Sequence, residues 1–462
     1  MNVKIIAILL MGAWIGIGDA VAQPSEVDVN ALLQRLQELE QRVKLLERNA
    51  ELNQEAATDQ AQAAPTVSVG ADGLVVRSAD TNFVFALHGL LQVDSRTFFD
   101  DGGIAGNDGF LLRRARPIFS GTIYRDFDFN FSPDFGGPTV QIFDAYLHYR
   151  YQPWLQARIG KFKTPIGLEY LQPDPVTAFN ERALPSGLVS GRDVGFQLGG
   201  EVNGGTLSYA VGIFNGLGDG RNSGNMDFDD SKEFAGRLFT LPFLQGEVAG
   251  LRGLGLGVGG SWTDYSPASA TGLPEGHGYN TVGQQQFFAY NTTTVADGAH
   301  WRVAPQSYYY FGPFSLLGEY TLSALKVRQT VAPFQSALLR HTGWQVTVGW
   351  VLTGEAAAFN GVTPRRAFDP RHGNWGAFQI VGRYGELNLD EAAFPIYADP
   401  AAAARSAQVW TVGLNWYPNK NLTVKTSYAR TTFDGGGTGA TPLAAITRQP
   451  EQVLFTRAQL SF

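Results

Sequence analysis

The chain has 462 residues, of which 17% are charged, 55 are glycine and 12% are aromatic, and its formal net charge is -7. Few charges with much glycine and aromatic surface disfavour both disorder and a helical enzyme and suit a β protein, and the acidic balance disfavours nucleic acid as a partner. The absence of cysteine excludes disulfides, thiolate metal sites and cysteine nucleophiles.

Residues 1–22 read as a secretory signal. Lys4 supplies the positive start, Ile5 to Ile17 a mostly apolar core, and Ala20-Val21-Ala22 an A-x-A cleavage site. Beyond it no apolar run reaches the length of a transmembrane helix, so a membrane crossing has to be made by strands. Over 23–48, Val29, Leu32, Leu36, Leu39, Val43 and Leu46 repeat at alternating spacings of three and four. That is the a/d seam of a short coiled coil, expected to associate copies of the chain. Residues 49–66, polar and alanine-rich, are expected as a linker.

From Val67 the pattern changes to alternation and keeps it to the end. Phe83, Phe85, Leu87 and Leu91 stand against His88, Gln92, Asp94 and Arg96. Phe127, Phe129 and Phe131 stand against Asp126, Asp128 and Asn130, and Phe143, Ala145, Leu147 and Tyr149 against Asp144, Tyr146, His148 and Arg150. Gln408 to Arg430 shows the pattern most clearly: Trp410, Val412, Leu414 and Trp416, a turn over Pro418-Asn419-Lys420-Asn421, then Leu422, Val424 and Tyr428 opposite Thr423, Lys425 and Ser427. Side chains alternate between faces along a strand, so each arm is apolar on one side and polar on the other. Arms of about nine residues suffice to cross a bilayer when tilted.

Alternation alone fits a soluble sandwich as well as a membrane barrel; the connections favour the barrel. Pro–aromatic turns at Tyr151-Gln152-Pro153-Trp154, Leu241-Pro242-Phe243, Phe311-Gly312-Pro313-Phe314 and Tyr417-Pro418 contrast with long polar or glycine-rich stretches at 99–109, 215–233, 264–300, 354–374 and 431–450. Short turns at one end, long loops at the other and aromatics beside the turns predict a transmembrane antiparallel β-barrel over 67–462, of about 16 strands. The last strand ends on Phe462, which resembles the signal that delivers bacterial outer-membrane barrels to their assembly machinery.

Several blocks in order resemble the phosphate-selective porin O and P family: LLRRARPIFSGTIYRDFDFNFSPDF (111–135), IFDAYLHYR (142–150), ARIGKFKTPIGLE (157–169), FNERALPSGLVSGRDVGFQLGGE (179–201), YAVGIFNGLGDG (209–220), GAFQIVGRYGELNLD (376–390) and GLNWYPNKNLTVKTSYART (413–431). The resemblance implies a homotrimeric, non-enzymatic channel of 16 strands in the bacterial outer membrane, among lipid and lipopolysaccharide, without cofactor. It also implies an infolded constriction loop, basic lumen residues and, as in some relatives, a periplasmic N-terminal coil.

A pore selects by charge and by width at its narrowest point. Strand parity puts Arg96, Arg114, Arg116, Arg150 and Arg158 in the lumen, where guanidinium groups can bind phosphate or carboxylate through paired hydrogen bonds. They can equally pair with Asp94, Asp126, Asp128 and Asp144. Residues 161–193 carry four prolines and lose alternation, so they are expected as the infolded loop, with Lys161, Lys163, Arg182 and Arg192 as its cations. Near the middle of that loop, where the resemblance implies a lysine, stands Asp174.

Gly255-x-Gly257-x-x-Gly260 has the spacing of a nucleotide loop, but it sits within an alternating strand with no helix after it. It is expected as a smooth lumen face. Asp227, Asp229, Asp230 and Glu233 lack metal-ligand spacing and read as a solvated loop. The function expected is passive diffusion of small hydrophilic solutes, anions such as phosphate. A general or carbohydrate-preferring porin, and an outer-membrane adhesin or structural barrel, fit the same signal, coil and strands.

Overall fold

The computed structural model describes residues 26–99, 106–137, 139–224, 227, 230–265, 278–437 and 446–462. The signal segment expected at 1–22, the first residues of the expected coil, the tips of several long loops and Asp229 lie outside them. The chain forms two units, the N-terminal helix and the body from Pro65 to Phe462.

Helix α1, Glu26–Ala63, exposes Leu32, Leu36, Leu39, Val43 and Leu46 along its length. It continues through most of the segment expected as a linker, 49–66. Residues 49–63 are mostly alanine, glutamine and glutamate, all good helix formers, and nothing breaks the helix before Pro65.

The body is a closed antiparallel barrel of 16 strands. In chain order these are β1 Val84–Phe98, β2 Gly109–Ile123, β3 Phe127–Asp134, β4 Gln141–Gln152, β5 Leu155–Lys163, β6 Arg192–Val202, β7 Leu207–Phe214 and β8 Glu233–Thr240. They continue as β9 Leu254–Tyr265, β10 Thr294–Phe311, β11 Phe314–Gln329, β12 Ser336–Val351, β13 Ala377–Asn388, β14 Ala404–Tyr417, β15 Leu422–Gly437 and β16 Glu451–Ser461. Each strand pairs with its sequence neighbour, and β16 closes on β1 from Val453 opposite Phe98 to Ser461 opposite Leu90. A hairpin of Thr66–Gly70 and Gly73–Arg77 continues the wall beside Val84–Leu87, where β16 has ended.

The barrel is apolar outside and polar inside. On β14, Trp410, Val412 and Leu414 are exposed while Thr411 and Asn415 are buried, and on β15 Thr423, Lys425 and Ser427 are buried. Exposed outward Leu147, Ile159, Val211, Leu256, Val303 and Ile380 continue the apolar band around the wall. In water such a surface would be strongly unfavourable; against hydrocarbon it is what a spanning barrel requires. Among the described residues no helix is long and apolar enough to cross a membrane. The four Pro–aromatic turns all fall at one end, where Tyr151 meets Trp154, Tyr309 stacks on Phe311, and Phe368 packs between Trp375 and Trp416.

Two expectations change here. The stretch 354–374, expected among the long loops, joins β12 to β13 at the short-turn end. There it folds against the lumen, with Phe359 stacked on Tyr308 and its carbonyl accepting from Gln172 Nε2 at 3.0 Å. Secondly, the lumen is not polar throughout. Near the long-loop end Leu325, Leu339, Val409, Val453 and Phe455 are buried against Phe287, Phe288 and Tyr397. Residues of the β9–β10 and β13–β14 loops fold into the barrel, so these wall positions meet a core instead of water.

Candidate functional site: the infolded loop and its arginines

Between β5 and β6, residues 164–191 cross the lumen as a chain of short turns: helix Leu168–Leu171 and 3-10 turns Asp174–Val176 and Leu184–Leu188. A continuous strand there is prevented by Pro165, Pro173, Pro175 and Pro185. The loop makes room for itself at glycine. A Cβ on Gly259 of β9 would lie 2.3 Å from the Ile166 carbonyl oxygen, whereas Gly255 and Gly257 of the expected smooth face lie against Phe239.

The far wall then holds the loop by hydrogen bonds on strand after strand. Leu168 N donates to Glu319 on β11 at 2.8 Å, and Gln345 on β12 donates to Glu169 at 3.1 Å. Arg383 on β13 reaches Glu169 at 3.2 Å, and Asn415 on β14 the Ala178 carbonyl at 2.9 Å. Ser427 on β15 bonds Asn180 at 3.0 Å, Lys425 donates to the Thr177 carbonyl, and Gln459 on β16 reaches the Pro175 carbonyl at 3.0 Å. Many modest bonds, each worth about 1 kcal/mol net, make the loop a fixed constriction.

Two carboxylates of the loop organise the cations. Glu181 receives Arg113 in a two-point pair at 2.6 and 2.9 Å, and Arg96 and Arg457 at 3.4 and 3.3 Å. Arg457 also grips Asp94 at 2.6 and 2.7 Å. Asp174 accepts from Arg116 and Arg182, with Arg114 at 3.6 Å and Arg192 at 3.8 Å. Burial pushes the Asp174 carboxyl up, but the guanidiniums of Arg114, Arg182, Arg116 and Arg192 outweigh it and hold it well below the usual carboxylate range. Glu181 is likewise raised by burial and brought far lower by Arg113, Arg457 and Arg114.

Arg114, Arg182, Arg192 and Arg113 also line a cavity of ≈ 530 Å³ on the long-loop side, with Phe143, Tyr170 and Tyr279. The Arg116 and Arg192 guanidiniums lie 3.7 and 4.7 Å from the Phe143 ring centre. On the short-turn side the loop borders a cavity of ≈ 40 Å³ beside Gly361 and Tyr417.

Of the expected residues, Arg96, Arg114, Arg116, Arg182 and Arg192 are brought together here. Only Arg182 belongs to the infolded loop itself, because β5 runs through Lys163 and β6 starts at Arg192. Lys163 bonds the Gln172 carbonyl at 2.5 Å. Lys161 is held instead by the Ser223 and Gly224 carbonyls of the β7–β8 loop. Arg158 stacks on Tyr146 and Phe162 at 4.7 and 5.3 Å. Arg150 sits by the short-turn rim with Asp128 at 2.8 Å, apart from the cluster.

Parity also missed residues. Gln92 pairs with Arg114 but Val93 with Leu112, so Arg113 is the extra residue of a β-bulge and joins Arg114 in the lumen. A second bulge, where Ser132 pairs with Asp144 but Pro133 with Ile142, brings Phe143 to the cavity although alternation places it outside. Arg383, Lys425 and Arg457 occupy ordinary inward positions, legible from the polar residues two places along each strand. Elsewhere, Glu233 of the expected solvated loop is buried against Arg302 at 2.6 Å, and Asp227 pairs with Lys232 at 2.7 Å. Among the described residues no group of His, Asp and Glu is placed to hold a metal ion.

A sequence profile described as phosphate-selective porin O and P matches residues 85–462. No curated protein matches the chain. Among solved structures, the anion-selective porin from Comamonas acidovorans is similar at 11% identity and a TM-score of 0.52, covering 82% of this chain and all (100%) of its own. The outer membrane channel DcaP of Acinetobacter baumannii is similar at 13% identity and 0.51, over 84% and 99% of the two chains. OmpT of Vibrio cholerae, in a trimer form, is similar at 10% and 0.50, over 82% and 99%. At these identities the likeness concerns the fold.

Proposed function

The chain belongs to the phosphate-selective porin O and P family, and from that premise we propose that this outer-membrane porin passes small anions, phosphate among them, by passive diffusion past an arginine-lined constriction. The observation that carries the reading is the surplus of cations at the infolded loop. Among the described residues, Arg96, Arg113, Arg114, Arg116, Arg182, Arg192, Arg383 and Arg457 form ion pairs with only six acids, Asp94, Asp134, Asp144, Glu169, Asp174 and Glu181. Guanidinium groups stay protonated at any physiological pH, and in a narrow lumen with low-dielectric walls their surplus field acts on a passing ion far more strongly than in bulk water. The solute gradient drives the flux; the lumen charges shape entrance and exit, and no bond is made or broken.

The assembly is a homotrimer in this reading, with the exposed heptad side chains of α1 winding copies together in the periplasm. Residues 1–22 are removed on export, and Phe462 addresses the barrel to the assembly machinery. In support, Phe462 exchanges backbone hydrogen bonds with Gly89 at 2.9 and 3.1 Å, the seam at which the barrel closes.

Planar-bilayer recording tests the reading. Purified protein should insert in groups of three equal conductance steps, with a reversal potential in a salt gradient that favours chloride over potassium. A potassium-favouring potential would discard the anion reading, and near-absence of conductance would discard the porin.

A further inference from the structure

Asp174 stands where a permeating anion would be expected to bind, and the surrounding geometry bears on what that site does. Its carboxylate lies within 4 Å of four guanidiniums, two from β2, one from the loop itself and one at the start of β6. That is the arrangement in which arginines hold a phosphate or a carboxylate ligand. Asp134 takes Arg116 and Asp144 takes Arg192, so Asp174 is the charge that brings the cage close to neutrality. The cage still has capacity: Arg114 Nε and Arg116 Nη2 make no hydrogen bond to protein, although both residues are 6% exposed. It also has access, because Arg114, Arg182 and Arg192 line the ≈ 530 Å³ cavity on the long-loop side.

We propose that the four arginines form an oxyanion site whose affinity is held down by Asp174, a tethered anion that competes with the permeant one. An oxyanion arriving from the cavity shares Arg114, Arg182 and Arg192 with Asp174, is held weakly, and leaves quickly. Fast exchange suits conduction, which needs binding strong enough to admit an ion and weak enough to release it. The inference rests on the proposed anion channel and adds to it the residue that sets residence time.

The test is block of chloride conductance by inorganic phosphate in bilayers, on the full-length protein and its variants. Asp174→Asn keeps the shape and removes the charge; it should lower the half-blocking phosphate concentration by about tenfold or more. Asp174→Glu, which keeps the charge, should stay within about twofold of the parent, since the competing carboxylate remains. Arg182→Gln, which removes one wall of the cage and leaves Asp174, should raise the half-blocking concentration, so the proposal stays testable even if Asp174→Asn does not fold. Equal block by the parent and Asp174→Asn, or unchanged block in Arg182→Gln, would overturn it. The ratio of variant to parent decides this whichever ion the parent prefers. The parent's own reversal potential separately decides the anion reading.

Discussion

The lumen holds two buried carboxylate–arginine clusters built from the same chemistry in opposite proportions. At Asp219, one arginine meets two acids: Arg302 donates to Asp219 at 2.7 Å and to Glu233 at 2.6 Å. Tyr279, Ser323 and His300 complete the Asp219 shell at 3.0, 2.7 and 3.3 Å, and the Arg302, Asp219 and Glu233 side chains are sealed from solvent. At Asp174, four arginines meet one loop carboxylate and three of them face a cavity. A cluster with its donors used up is a staple, here tying the β7–β8 loop to β10. One with donors left over is a field in the path of ions. Stoichiometry and access, more than the identity of the residues, separate structure from function here.

The comparison is open to attack from both sides. The largest effect belongs to the staple. Arg302→Met should leave Asp219 and Glu233 buried without their guanidinium and cost about 3–5 kcal/mol, read as a lower denaturant midpoint of the refolded barrel in lipid. Its ion ratio should stay near the parent's. If Arg302→Met shifts selectivity as much as the next variant, the division fails. Arg116→Ala, at the field cluster, should reduce the chloride-over-potassium permeability ratio severalfold, measured by reversal potential.

A pH series sharpens the contrast further. Asp174 and Glu181 have folded values depressed below their unfolded ones. Their ionic contribution is therefore complete above the ordinary carboxylate range near about 4 and is lost only as pH falls through the lower folded values. The ion ratio should be flat from about pH 8 to pH 5 as far as these two groups are concerned, and anion preference should rise in stronger acid as they protonate. A step in selectivity between pH 7 and 5 that Asp174→Asn abolishes would contradict this. The smallest effect is expected of Arg150→Ala. Its half-exposed side chain pairs with Asp128 at the rim, so stability should change by about 0.5 kcal/mol or less and the ion ratio not measurably.

Much of the wall was legible from period-two alternation, because a one-residue slip would turn every apolar side chain from lipid to lumen. Trp410 to Tyr428 shows which side chains share a face, and the connections show that the apolar face meets lipid. Arg114, Arg116 and Arg182 were found in the same way or from the proline-broken loop. Alternation failed where the backbone itself departs from it: Arg113 and Phe143 are each the extra residue of a bulge, and a bulge leaves no mark in a single sequence. It was also silent on Val453 and Phe455, which face inward onto apolar loop residues. Those partners lie on other segments of the chain, and the contact depends on how the long loops fold. Asp174 was visible as a departure from the resemblance, but its four partners come from separate segments of chain, and only the fold brings them to it.

The closing seam of the barrel has a consequence for the order of biogenesis. Asp94 lies on the first strand and Arg457 on the last; the two hold each other, and Arg457 also donates to Glu181 of the infolded loop. A nascent barrel that has not yet joined its ends lacks one of the three arginines that meet Glu181. At Gly89, where a Cβ would sit 2.6 Å from the Phe462 ring, the C-terminal residue locks the same edge. Sealing the cylinder thus also adds the last strand's grip, through Arg457 and Gln459, to the loop that narrows its eyelet.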